Sequence, residues 1–278
     1  MSFLQEVLER TQEVVAERQA RRSLQELRAG VRPRPDGRPF LRAVQAPGIS
    51  LIAEFKRSSP SHPRLAPRAS VARHVKEYER GHASAVSILT EESYFSGSLE
   101  DLRMARAGTR LPLLRKDFVV DEYQLYEAAE VGADAVLLIA AVLRDPGRLR
   151  NLYELARTLN LDVLLEIRDE PELARAISLN ADLIGVNNRE LETPASAPRS
   201  FEVDVGRTAR LYGAIPQGVS VVAESGLKAR AELEELAALG VQAALVGSAL
   251  MQASDPEAKC RELAGPVRAP SPAHPAFA

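Results

Sequence analysis

Ala135-Val136-Leu137-Leu138-Ile139-Ala140 and Val163-Leu164-Leu165-Glu166-Ile167 are short apolar runs, and the helical pattern Leu149–Leu159 lies between them. Neither run alternates polar with apolar residues, so each reads as a strand covered on both faces. Strands joined through a helix run parallel. Working outward, further apolar runs occur at Leu51–Phe55, Ala85–Leu89, Leu111–Leu114, Leu183–Val186, Val219–Ala223 and Ala243–Val246, giving eight candidate strands. Helical patterns follow at Val71–Arg80, Leu99–Ala107, Tyr123–Val131, Glu170–Ser178, Ala229–Ala238 and Pro256–Leu263, with a fainter one near Val203–Leu211. Eight consecutive strand-helix units at roughly 20–35-residue spacing match a closed (β/α)8 TIM barrel better than an open sheet, which usually has fewer strands.

Upstream, Leu4, Val7, Leu8, Val14, Val15, Leu24 and Leu27 recur mostly at three- and four-residue steps and stop at Gly30, which predicts one leading helix over 3–29. Pro33, Pro35, Asp36, Gly37 and Pro39 then form a connector. The expected organisation is a helical extension and connector over 1–48, a barrel over 49–264 and a disordered Pro-rich tail over 265–278. Thr193–Ser200, after the sixth strand, reads as a loop insertion.

The 278 residues carry 36 Lys+Arg against 38 Asp+Glu, a balance that gives no reason to expect nucleic acid, so a small molecule is the expected partner. With 45% hydrophobic and 27% charged residues, the chain can bury a full core at this length. Cys260 is its only cysteine, which excludes an internal disulfide framework and any multi-cysteine metal site. No stretch approaches the roughly 20 apolar residues of a membrane span, and the first residues lack a signal-peptide core. A cytoplasmic, monomeric protein is the expectation. His62, His74, His82 and His274 show no spacing of a metal site.

In this architecture the chemistry sits at the carboxyl ends of the strands. There the sequence places Ala53-Glu54-Phe55-Lys56-Arg57-Ser58-Ser59-Pro60, Leu114-Arg115-Lys116-Asp117-Phe118 and Leu165-Glu166-Ile167, so two carboxylates and two ammonium groups converge. A lysine in a cationic, partly desolvated pocket has a lowered pKa and delivers protons near neutrality, while a neighbouring carboxylate accepts them. A purely structural pairing of these charges is the competing explanation. Phe55 points away from Glu54 and Lys56 because strand side chains alternate faces. Asn187-Asn188-Arg189 ends the sixth strand, where Arg189 serves as an anion anchor or pairs with one of the glutamates, and Asn187 bonds a hydroxyl or closes its loop. Glu224-Ser225-Gly226 and Gly247-Ser248 end the last two strands and together resemble a phosphate cradle of backbone amides. Singly, either glycine serves equally well in an ordinary turn. Phe95 and Phe118 lie just past strand ends, placed to clasp a flat substrate or to pack a loop.

Taken in order, Ala53-Glu54-Phe55-Lys56-Arg57-Ser58-Ser59-Pro60-Ser61, Leu89-Thr90-Glu91-Glu92-Ser93-Tyr94-Phe95-Ser96-Gly97, Leu114-Arg115-Lys116-Asp117-Phe118, Gly185-Val186-Asn187-Asn188-Arg189-Glu190-Leu191, Glu224-Ser225-Gly226 and Val246-Gly247-Ser248 resemble the indole-3-glycerol phosphate synthase family. The resemblance runs through nearly the whole chain. It implies ring closure, decarboxylation and dehydration of 1-(2-carboxyphenylamino)-1-deoxyribulose 5-phosphate in tryptophan biosynthesis, by a carboxy-lyase with no cofactor and no metal. It also implies that Lys116 is the general acid, that Glu166 stabilises a cationic intermediate or moves protons, and that Lys56 and Glu54 serve the dehydration, with Asn187 in the same catalytic group. Glu224, Ser225, Gly226, Gly247, Ser248 and Lys56 would hold the phosphate. Asn187 and Arg189 would contact the sugar and carboxylate, and Ser59, Pro60, Phe95, Leu114, Phe118, Leu137 and Leu191 the aromatic ring. The leading helix would lie over the barrel mouth and exclude water. Two departures stand out: the 194–200 insertion, and His62-Pro63 where a glycine often follows Ser-Pro-Ser.

Two rival readings share parts of this pattern. A phosphoribosylanthranilate isomerase-like barrel would keep the cradle but use another acid-base pair. A non-catalytic metabolite-binding barrel would need no convergent acids and bases.

Overall fold

The computed structural model describes residues 2–31, 39–190 and 202–266. Leu191, the 194–200 insertion, most of the connector and residues 267–278 of the tail lie outside them. Eight strands, β1 (Ser50–Phe55), β2 (Ala85–Leu89), β3 (Leu113–Lys116), β4 (Ala135–Ile139), β5 (Asp162–Ile167), β6 (Leu183–Asn187), β7 (Ser220–Glu224) and β8 (Ala243–Val246), pair in parallel in sequence order. β8 closes on β1 through Ser50 opposite Ala243, so the sheet is the expected closed barrel.

Three helices precede β1: α1 (Phe3–Arg21), α2 (Leu24–Gly30) and α3 (Pro39–Val44). Around and after the barrel come α4 (Val71–Arg80), α5 (Leu99–Gly108), α6 (Glu122–Glu130), α7 (Pro146–Thr158), α8 (Glu170–Ser178), α9 (Arg207–Tyr212), α10 (Arg230–Leu239), α11 (Ser248–Met251) and α12 (Pro256–Ala264). Asp145, Asp169 and Asp255 each cap a helix through the side chain, with proline at the first or second helical position, where a missing N–H costs nothing. Among the described residues no helix is long and apolar enough to cross a membrane.

Strand alternation makes two cores. Ile52, Ala85, Leu114, Ala135, Leu137, Leu164, Leu183, Val222, Ala243 and Leu245 fill the barrel interior. Outward residues such as Leu51, Ala53, Phe55, Val86 and Ile88 pack under the helices. Phe55 does turn away from Glu54 and Lys56, with the Arg57 guanidinium 5.1 Å over its ring.

The leading segment differs from the single helix expected. Ser23 stops α1 and starts α2, because its hydroxyl accepts from Glu26 N while the Glu26 carboxylate accepts from Ser23 N at 2.8 Å. The 3.6-residue pattern continues across Ser23 and hides this break. α3 was not expected at all. It plugs the amino end of the barrel with fully buried Phe40 and Val44, and Leu41 N donates to Asp162 Oδ2 at the foot of β5 (2.7 Å). Downstream, Val203 pairs with Arg189 in an antiparallel bridge, so the helix expected near Val203–Leu211 starts only at Arg207. The third strand reaches Lys116 instead of ending at Leu114.

α1 reaches the carboxyl ends of the strands. Phe3, Leu4 and Val7 join the top of the interior core beside Phe118, Ile139 and Ala141, and Phe3 meets Tyr94 edge-on at 5.0 Å. Further along α1, Arg18 pairs with Glu127 of α6 at 3.1 Å.

Candidate active site

A cavity of about 1210 Å³ opens at the carboxyl end of the barrel, and Glu54, Lys56, Lys116, Glu166, Asn187, Arg189 and Glu224 all reach it. They come from β1, β3, β5, β6 and β7, each within two residues of its strand's last residue, where the inward face passes from apolar to polar.

Lys116 is the centre of the charges. Its Nζ lies 3.1 Å from Glu166 Oε2 and 3.3 Å from Glu224 Oε2. Burial alone disfavours the ammonium, but the charges of Glu166, Glu224 and Glu54 outweigh it and hold the lysine pKa above its ordinary value. This corrects the cationic pocket and lowered pKa expected from sequence: the surroundings of Lys116 are anionic, and the proton it carries is firmly held. Glu166 Oε1 accepts from Asn187 Nδ2 at 3.0 Å, and Asn187 Oδ1 accepts from Arg189 N at 2.9 Å. Lys56 Nζ donates to Glu54 Oε1 at 2.7 Å.

Glu224 corrects the expectation that it helps to hold the phosphate: its buried carboxylate turns to Lys116, with Oε2 3.3 Å from the ammonium. Burial, reinforced by Glu166 and Glu54 and opposed by Lys116, pushes its pKa up to about 8. The residues after it form the cradle side. Ser225 (φ 69°) and Gly226 (φ 88°) are both left-handed, and a Cβ on Gly226 would stand 2.5 Å from Val203 Cγ1, so only glycine fits there. Asn188 Nδ2 holds this turn by donating to Ser225 O at 3.2 Å. Gly247 and Ser248 line the adjoining wall, and Lys56 Nζ lies where a Gly247 Cβ would come within 2.9 Å, which puts the ammonium against the cradle.

Arg189 lines the cavity with no carboxylate of the described residues in ion-pair range of its guanidinium. Burial lowers its pKa and Glu54 opposes. Of the two roles open in the sequence, the geometry favours an anchor for a ligand anion over an internal pair.

The apolar wall contains Phe95, Phe118 and Leu137, with the two phenyl rings 6.5 Å apart and tilted. Glu91 fixes the Phe95 loop by accepting from the N–H groups of Ser93, Tyr94 and Phe95 at 2.7–3.1 Å. Ser59 and Pro60 line the cavity from a loop closed by reciprocal Ser59–His62 backbone bonds. Leu114 is a correction: it is fully buried in the barrel interior, one inward position below Lys116, and is not in the cavity wall.

Several residues escaped the sequence reading. Arg207 Nη1 donates to the carbonyl of Asn187 at 2.7 Å and so braces the β6 loop. Arg115, fully buried behind Lys116, bonds Asp117 (3.0 Å), Glu127 (3.2 Å) and Gln124 O (2.6 Å), which fixes the end of β3 from outside. Phe3, Val203 and Val205 also line the cavity. Of the Arg115 partners only Asp117 is local; Gln124, Glu127 and Thr90 lie 9 to 25 residues away and leave no signal in the sequence around it.

The sequence model of the family described as indole-3-glycerol phosphate synthase matches residues 4–263. Indole-3-glycerol phosphate synthase 1 of Streptomyces coelicolor is 42% identical over 277 residues, 99% of either chain. The indole-3-glycerol phosphate synthase of Nocardioides sp. is 43% identical over 268 residues, 95% of this chain and 99% of that one. Among solved structures, thiamine phosphate pyrophosphorylase from Pyrococcus furiosus has a TM-score of 0.57 at 21% identity, covering 80% of this chain and 95% of that one. For 3-hexulose-6-phosphate synthase from Salmonella typhimurium the values are 0.58, 12%, 78% and 97%. These two share the fold. The family match over nearly the whole chain, with relatives above 40% identity at nearly full length, places the chain in the indole-3-glycerol phosphate synthase family.

Proposed function

We propose that this chain is a carboxy-lyase that converts 1-(2-carboxyphenylamino)-1-deoxyribulose 5-phosphate to indole-3-glycerol phosphate, carbon dioxide and water in tryptophan biosynthesis. The observation that carries the reading is the Lys116 ammonium, 3.1 Å from Glu166 and 3.3 Å from Glu224, at the floor of a cavity with an aromatic wall and a glycine-rich wall. In the proposed sequence, the ring carbon bearing the carboxylate attacks the ketone carbon, and Lys116 gives its proton to the ketone oxygen as the new bond forms. Loss of carbon dioxide returns the bonding pair to the ring and restores its aromaticity. Lys56 and Glu54 then move the protons that let the hydroxyl leave as water. Glu166, oriented by Asn187, stabilises the cationic intermediate.

Ser225, Gly226, Gly247 and Ser248 supply backbone amides for the phosphate, with Lys56 beside them, and Arg189 takes the substrate carboxylate until it is lost. Phe95, Phe118 and Leu137 pack on the aromatic ring, with Ser59 and Pro60 closing its edge.

The test is to mix purified protein with the carboxyphenylamino deoxyribulose phosphate and follow indole fluorescence, with Lys116→Ala in parallel. Turnover is expected in the native chain, with a loss on the order of 10²–10⁴-fold in the variant and cooperative unfolding retained. Saturable binding without indole would favour the binding-barrel reading. Near-normal turnover in the variant would remove Lys116 from its role.

A further inference from the structure

Gly185 lies on the inward face of β6, opposite Glu166 on one neighbouring strand and Val222 on the other. A Cβ on it would stand 2.1 Å from Glu224 Oε1 and 3.2 Å from Leu164 Cδ1. The same Oε1 is buried with no hydrogen-bond partner among the described residues, while Oε2 of that carboxylate reaches Lys116 Nζ at 3.3 Å. The Glu224 carboxylate thus occupies the volume that any side chain at position 185 would fill. We propose that Gly185 is a positioning residue for the reaction: the side chain it lacks is a socket that seats the Glu224 carboxylate against the Lys116 ammonium.

The inference rests on the reading of Lys116 as the general acid, and it deepens that reading. A carboxylate so seated shares in fixing where the ammonium points. Lys116 holds its Oε2 side, and shape holds the Oε1 side, which has no hydrogen-bond partner among the described residues. The relation recurs across the barrel, where a Cβ on Gly247 would stand 2.3 Å from Glu54 Oε1. Glu166 needs no such socket, since the Asn187 amide holds it directly. The groups facing Glu224 are Lys116 from β3, Glu166 from β5 and Glu54 from β1. Burial with two like charges and one opposite charge gives the seated carboxylate a titration far from that of a free glutamate. A methyl group at 185 meets the end of a flexible side chain, so the barrel accommodates it by expelling the carboxylate.

A mutant cycle tests this: Gly185→Ala, Glu224→Ala and the double variant, with kcat, KM, pH profile and thermal unfolding measured for each. Gly185→Ala alone is expected to lower kcat on the order of tenfold, to change KM by less than about threefold and to shift the pH profile. In the Glu224→Ala background, where the socket is empty, the same substitution is expected to change kcat by less than about twofold. Native-like kcat in Gly185→Ala, or an equal loss in both backgrounds, overturns the proposal. Should Gly185→Ala fold poorly, the double variant is expected to recover stability, and failure to recover overturns the proposal too. If the native chain shows no turnover, the function reading fails and the socket is still read out: carbon NMR of the Glu224 carboxyl should show its midpoint near 8 in the native chain and displaced in Gly185→Ala. An unmoved midpoint overturns it.

Discussion

At the amino ends of the strands, Phe40 and Val44 are fully buried, and polar groups that meet this plug are paired: Leu41 N with Asp162, Gln45 with Ser220, and Ser50 Oγ with the carbonyl of Ala43. At the carboxyl ends, Glu224 keeps a buried oxygen without a partner among the described residues, Arg189 lines the cavity with no carboxylate of the described residues in ion-pair range, and Ser225 holds a left-handed backbone. Both ends close the same eight strands, so the difference is not a matter of fold. Satisfied groups and packed rings stabilise one end. The other keeps polar groups that no described residue satisfies, which is the pattern of a surface that receives a charged ligand.

The largest separation of the two ends is expected from Phe40→Ala. It removes a fully buried ring far from the cavity and should cost about 3–5 kcal/mol of stability, read as a lower urea midpoint, with kcat within about twofold of native. A matching collapse of kcat below the transition would mean that the plug also sets the geometry of the mouth.

Next comes the pH dependence of stability. Glu224 titrates at about 8 in the folded chain against an ordinary 4.5, so the folded state binds more protons than the unfolded one across that window. Its contribution is therefore full below the unfolded value and is lost as pH rises through the folded one. Urea midpoints at pH about 5 and about 9 should diverge for the native chain and lie closer together for Glu224→Gln, which carries no charge at either pH. Equal slopes would show that Glu224 is already ionised at the lower pH.

The contrast between the ends also explains what could be read in advance. The barrel was legible because each strand is an apolar run bounded by turn chemistry, and Lys56, Lys116 and Glu166 were legible because each follows or ends such a run. Which partner each charge would choose was not. Glu224 and Lys116 are 108 residues apart in sequence and belong to β7 and β3, and only barrel closure brings them to 3.3 Å. Gly226 carried a local signal, as a glycine in a turn, whereas Gly185 sits inside a strand where its role depends on a side chain two strand positions along the neighbouring strand. The α3 plug was hidden by its brevity: six residues after a Pro-rich connector do not make a helical period. The break at Ser23 was hidden by the opposite cause, a period that runs on through it.

The smallest effect should come from Arg189, and it separates affinity from chemistry at the carboxyl end. If its guanidinium anchors the substrate carboxylate, Arg189→Met should raise KM about tenfold, the scale of one charge-assisted hydrogen bond, and leave kcat within about threefold. Because no carboxylate of the described residues pairs with this cation, the variant should be no less stable than the native chain. Salt sharpens the reading. Added salt should raise the native KM by screening the ion pair, and the variant, with no pair to screen, should respond less. A fall in kcat at unchanged KM would instead move Arg189 from holding the carboxylate to stabilising charge that develops as the ring closes, and would make the carboxyl end a more concerted device than its separate walls imply.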